Sequence, residues 1–209
     1  MIRMYKCTHC SELTCYKEES ERIPANCPMR KETLMDECVS RYDSPENREF
    51  HRTSSVIEAA GYCQWPRVRE IIEFSKGMKY RKIGIAFCLG LHKEAAVVDR
   101  LLQESGFETV SVICKAGRVP KERIGIDDKE KVRPGTFETI CNPIAQAEFL
   151  NEQETEFNIM VGLCVGHDSM FYKYSEAMVT TLIAKDRVLA HNPAGALYCS
   201  EGYFKSKNL

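Results

Sequence analysis

From residue 44 onward, apolar positions at helical spacing alternate with short continuous apolar runs. Ser44-Pro45-Glu46 supplies an N-cap, a proline at the first helical position and an acid in the first turn, so a helix is expected from there to Gly61. A second should start at Trp65-Pro66, with Val68, Ile71, Ile72 and Met78 along one side. Lys82 to Cys88 is an apolar run of strand length, as in a buried parallel strand, and His92 to Ser105, closed by Gly106, reads as its crossover helix. Thr109 to Cys114 is a second strand, followed by a polar excursion from Lys115 to Thr136 with little periodicity.

Asn142 and Pro143 open another helix toward Glu154, Asn158 to Cys164 is the third strand, and Asp168 to Ser175 is a short helix. Val179 to Ala184 and Val188 to His191 read as two strands joined at Asp186, with Asn192-Pro193 starting a last helix. Lys185, Asp186 and Arg187 would then form only a solvated hairpin turn. The alternation predicts an α/β protein: a mostly parallel, Rossmann-like sheet with flanking helices and a C-terminal β-hairpin. Residues 1–43 have no such rhythm. They hold few large apolar residues and five cysteines, the pattern of a small cysteine-rich finger in which metal replaces a hydrophobic core. The expected division is therefore a finger at 1–43 and an α/β domain at 44–209.

Composition narrows the chemistry. The 209 residues suffice for one ordinary core plus an appendage. With 29 basic against 30 acidic residues, overall charge gives no reason to expect nucleic acid as a partner. No apolar run approaches the ~20 residues of a membrane span, and the start lacks a signal-peptide core, so a cytoplasmic protein without membrane partners is expected. Eleven cysteines, an odd number, in a reducing compartment point to metal ligands or reactive thiols rather than disulfides. Thiolates select zinc, copper(I) or iron–sulfur clusters over hard cations.

The local signature is Cys7-x2-Cys10-x4-Cys15-x11-Cys27-Pro28. Cys7 and Cys10 can bind one ion from a single tight turn, with Cys15 and Cys27 completing four ligands at loop distance. The second pair is too widely spaced for a standard zinc finger, and the Cys-Pro ending is shared with bacterial ferredoxins without their close run. An iron–sulfur cluster, of the 4Fe-4S kind, is the expected cofactor and zinc the alternative.

A second group is gathered by topology. Cys88, Cys114 and Cys164 end three predicted strands, and Cys141 precedes a helix that should leave from the same carboxyl edge, where open α/β sheets bind ligands. Individually each is explained as a small buried hydrophobe. Together they predict a shared cofactor-binding or thiol site. Cys141 is the candidate reactive thiol, because a helix N-terminus stabilises thiolate. Cys164-Val-Gly-His167-Asp168 adds an imidazole that can serve as ligand, acid or base, and a carboxylate that is either catalytic or a helix cap.

Three segments, Cys141-Asn-Pro-Ile-x-Gln-Ala, Gly162-Leu-Cys-Val-Gly-His-Asp168 and Lys185-Asp-Arg-Val-Leu-Ala-His-Asn-Pro193, resemble a cysteine-rich family of uncharacterised metal-binding proteins found mainly in anaerobic bacteria and archaea. The resemblance covers the whole chain. It implies metal binding and favours iron–sulfur over zinc, but supplies no reaction. The residues leave three functions open: iron–sulfur redox or sulfur chemistry on a small molecule or with a redox partner protein, a zinc-stabilised non-enzymatic binding module, and thiol catalysis by Cys141 with His167 as base. No Gly-x-Gly-x-x-Gly or phosphate-binding loop supports nucleotide use.

Overall fold

A computed structural model describes residues 4–18 and 22–207. The chain divides into two compact units, Met1–Ala59 and Ala60–Leu209. In the first, Cys7, Cys15 and Cys27 sit at or beside short 3-10 turns, and helix α1 follows at Glu32–Ser40. No helix was expected there, because α1 buries none of its residues and so carries no apolar stripe for the eye to find. Helix α2, Pro45–Gly61, begins as its sequence dictates, with the Asn47 amide donating to Ser44 Oγ at 3.2 Å.

The second unit is built on four parallel strands in the order β2-β1-β3-β4: β1 Lys82–Phe87, β2 Glu108–Ile113, β3 Phe157–Val161 and β4 Met178–Ile183. The connecting helices are α3 Arg67–Gly77, α4 His92–Glu104, α5 Pro143–Glu152 and α6 His167–Tyr174, with a short α7 at Ala194–Tyr198. Both β1 and β3 are apolar and buried on both faces, as central strands of a covered parallel sheet must be. One face carries Ala86, Met160 and Leu163 against Ala147 and Leu150 of α5 and Phe171 of α6. On the other, Phe157 packs against the rings of Phe74 and Tyr80.

Gly84 is required at the centre of the sheet. A Cβ there would lie 1.9 Å from Oδ1 of Asn158 on β3, whose fully buried amide accepts from Thr155 and donates to Ser175. Among the described residues no helix is long and apolar enough to cross a membrane.

The C-terminal strand forms, but the predicted hairpin does not. Its first half is β4, paired parallel to β3, and Val188 to His191 folds as turns. The cause is local: Asp186 Oδ1 accepts from the amides of Val188 and Leu189, while His191 Nδ1 accepts from the Asp186 amide and the His191 amide donates to Asp186 O. Those groups are then lost to any ladder.

Candidate functional site

Sheet order reverses between β1 and β3, which makes their carboxyl ends the switch point where open α/β sheets bind ligands. Cys88 follows β1 and Cys164 lies three residues beyond β3, with Cys114 following neighbouring β2. Cys141 arrives by a longer route. The excursion after β2 is closed by Pro120 pairing with Thr139, by the Lys121 amide on Glu138 O and by the Ile140 amide on Val119 O. The chain therefore returns to its starting point, and the Asn142 amide bonds Cys114 O at 2.7 Å. Asn142 then caps α5, accepting from the Ala145 amide at 3.1 Å.

In their ionisation three thiols form a row, with Cys114 in the middle acting on Cys88 on one side and on Cys141 on the other. Cys114 is buried, and its sulfur also accepts the Leu89 amide at 3.3 Å. The Cys114 S–H holds Cys88 down at about 4, helped against burial by the Gly90 amide and Lys185. Turned toward Cys141 instead, that hydrogen lowers Cys141, helped by Lys115 and His167. Cys114 itself is pushed up, first by Cys141, then by Cys88 and burial. Having one hydrogen to give, Cys114 supports one neighbour at a time, and the other relies on its cation.

Cys164 stands apart from the row and accepts a hydrogen bond from Arg187 at 3.0 Å. Arg187 is raised above its ordinary value by Cys164 and, more weakly, by Cys88 and Cys141. Lys185 and Arg187 are thus not a merely solvated turn, as the sequence reading had them. Because β4 runs parallel to β3, the residues after Ile183 emerge on the same edge as the cysteines, a consequence the hairpin reading hid. Gly162, at φ +64°, lets the chain pass there, since a Cβ would lie 2.0 Å from Leu91 Cδ1.

His167 opens α6 at this edge, and its Nδ1 is buried without a hydrogen-bond partner among the described residues. The Asp168 carboxylate is occupied by backbone in the first turn of α6, Oδ1 accepting from the amides of Gly166 at 2.9 Å and Ser169 at 2.7 Å, while the N-cap position falls to Gly166 and carries no side-chain cap. In the sequence Gln146 stands only as part of a family-like segment, without a role. Fully buried on α5, it donates to the carbonyls of Phe87 at 3.2 Å and Val112 at 2.7 Å, gripping the strand ends from which Cys88 and Cys114 emerge. No pattern marks a single polar residue on an apolar helix face as such an anchor.

Cys141, Cys164, His167 and Arg187 line one cavity of about 640 Å³, walled largely by the excursion. Within the first unit, Cys7 and Cys10 share a turn, the Cys10 amide bonding Cys7 O at 3.1 Å. Cys7 and Cys15 are exposed, while Cys10 and Cys27 are half-buried. Among the described residues no three His, Cys, Asp or Glu side chains converge on a single ion position. The sheet-edge sulfurs accordingly make a row plus one outlier. As donors they suit a thiophilic centre, being soft and flanked by cations that offset the charge of thiolate ligation.

Residues 27–182 match the family described as "Protein of unknown function (DUF1847)". The chain is also 44% identical over 193 residues to Uncharacterized protein MJ0455 of Methanocaldococcus jannaschii, covering 92% of this chain and 93% of that one. The four sheet-edge cysteines lie inside the matched stretch, and Cys7, Cys10 and Cys15 precede it.

Proposed function

The chain belongs to that family of unknown function, and from this premise we propose that it is an iron–sulfur protein whose working centre is the sheet-edge set Cys88, Cys114, Cys141 and Cys164. Its activity is redox or sulfur chemistry on a small molecule or with a redox partner protein. The observation that carries this reading is the thiol row together with Lys115, Lys185 and Arg187 around it. Cysteines that were merely small hydrophobes would not need a cation at the same edge, such as the Arg187 guanidinium that donates to Cys164 at 3.0 Å.

When bound, an iron–sulfur cluster supplies one-electron transfer, and an iron lacking a fourth protein ligand polarises a substrate. This chain's own residues do the rest. The Cys114 S–H, with Lys185 and Lys115 as lesser helpers, favours negative charge on Cys88 or Cys141, Arg187 donates to Cys164, and Gln146 anchors the strand ends. Cys7, Cys10, Cys15 and Cys27 form the second metal site of the proposal, closed and structural or electron-carrying.

The test is anaerobic purification, a visible spectrum, and iron, sulfide and zinc per chain, for the parent, Cys7→Ser/Cys10→Ser and Cys88→Ser/Cys114→Ser. Brown protein whose colour and iron fall in the Cys88/Cys114 variant is the expected result. Colourless protein holding only zinc overturns the proposal and favours a non-enzymatic zinc-stabilised module. Iron untouched by the Cys88/Cys114 change removes the sheet-edge centre.

A further inference from the structure

The cavity beside the cysteines has a composition that a bare cluster site does not need. Of about 640 Å³, it lies within the roughly 300–1,000 Å³ range of small-molecule pockets. Its walls include Leu89, Ile124, Val132 and Phe137, which remain 54, 60, 83 and 60% exposed. The cavity thus combines apolar side chains with a few polar groups, the lining of a small-molecule pocket.

The charges lining it are unequal. Four cations, Lys115, Lys121, Arg133 and Arg187, face one carboxylate, Glu138. Three of the four are engaged: Lys121 pairs with Glu138 at 2.6 Å, Lys115 donates to Thr139 O at 2.7 Å, and Arg187 holds Cys164. Arg133 is different. Its backbone amide donates to Glu138 at 2.7 Å and its carbonyl accepts from Thr136, so its backbone is fixed beside the cavity, and its exposed guanidinium has no partner among the described residues. A planar fork of donors at the rim of this cavity matches a carboxylate, which it can grip with two parallel hydrogen bonds. Arg118, 5.3 Å over the Phe137 ring, adds positive potential to the same wall.

We propose that this cavity binds a small organic carboxylate with an apolar body, its acid group held by Arg133 and the rest of the molecule lying toward Cys141 and Cys164. The inference deepens the preceding reading by naming the substrate class, and it rests on that reading for the role of the cysteines. It does not require the cluster for binding.

Calorimetric titration of the anaerobically purified full chain with phenylacetate, hexanoate and phenylacetamide tests it. Both carboxylates should bind, with the amide at least about tenfold weaker, the scale of losing a charge-assisted hydrogen-bonded pair. Arg133→Gln should weaken phenylacetate about tenfold or more, and Arg133→Lys, which keeps the charge without the fork, should fall between. Arg123→Gln, the same charge change on a neighbouring turn that does not line the cavity, should leave binding unaltered. Absence of carboxylate binding, equal binding of the amide, or an Arg133→Gln variant matching the parent overturns the proposal. Iron content and visible spectrum of the same samples separate the two readings: selective carboxylate binding by iron-free protein fails the cluster alone, and clustered protein without selectivity fails this site alone.

Discussion

Gln146 permits a prediction in which two opposing effects have separate structural origins. Its Nε2 donates to two carbonyls, and its Oε1 is buried without a partner among the described residues. Gln146→Leu removes both hydrogen bonds, each contributing about 0.5–1.5 kcal/mol net. Phe87 O keeps the Cys114 amide at 2.8 Å, so it is not orphaned. The same change removes the unpartnered oxygen, whose burial costs about 1–3 kcal/mol. These nearly cancel, and Gln146→Leu is expected to alter stability by less than about 1 kcal/mol. Gln146→Ala loses the same bonds and leaves a cavity as well, so it should cost about 2–4 kcal/mol. Gln146→Glu sets a buried carboxylate against carbonyl oxygens and should be the most damaging at neutral pH. Urea unfolding of the three variants, fitted with a common slope, reads the order Leu, Ala, Glu directly. If Leu costs more than about 3 kcal/mol, the glutamine oxygen has a partner and this account is wrong.

Two further predictions concern the sheet and the excursion. Gly84→Ala drives a methyl into Asn158 Oδ1 and to 3.0 Å from Leu150 Cδ1, and should destabilise by at least about 2 kcal/mol. Adding Asn158→Ala should restore part of that loss; strictly additive effects in the double-mutant cycle would refute the clash. Lys131, its side chain 5% exposed, pairs with Glu122 and, at 2.9 Å, with Asp128, and both carboxyls are held below their ordinary values by it while Lys131 is raised. Depressed carboxyls stabilise above their ordinary 4.5 and 3.8 and lose that contribution as pH falls through the folded values, whereas the raised lysine contributes below its ordinary 10.5 and loses it at higher pH. Amide exchange across residues 121–138 should therefore become less protected as pH falls below the ordinary carboxylate range, after correction for intrinsic rates. Lys131→Met should flatten that dependence, and an unchanged profile would show that these pairs do not hold the excursion.

The strands and their helices were legible because central parallel strands read as continuous apolar runs and because capping residues punctuate the helices: Ser44 and Asn142 cap as their positions indicate. The C-terminal hairpin misled for a physical reason. Val188 to Leu189 has strand-like residues, but Asp186 and His191 satisfy the local backbone first. That single misreading concealed Lys185 and Arg187, since parallel pairing of β4 is what carries them to the cysteine edge. The excursion was legible as irregular, yet its role as a wall was not. The ion pairs that brace it join residues up to seventeen positions apart, and no periodicity registers such links.

The cations bear on what the cysteines are for. A buried cysteine needs no company; it packs as a small apolar group, and Cys114 among Ala147, Leu150 and Phe171 would satisfy that description alone. An ammonium or guanidinium beside an apolar cluster is different, because desolvating it is costly unless an anion answers it. Lys185 reaches Cys88, Lys115 reaches Cys141, and Arg187 bonds Cys164, three cations from two separate stretches of chain meeting three sulfurs from three others. If the sulfurs stayed neutral thiols, the half-buried Lys115 and Lys185 would give up part of their hydration for a weak acceptor. The pairings are favourable if the edge carries negative charge, as free thiolate or as a thiolate-ligated centre. Arg133, exposed at the neighbouring cavity and without an anion of its own among the described residues, stands where the proposed carboxylate would meet it.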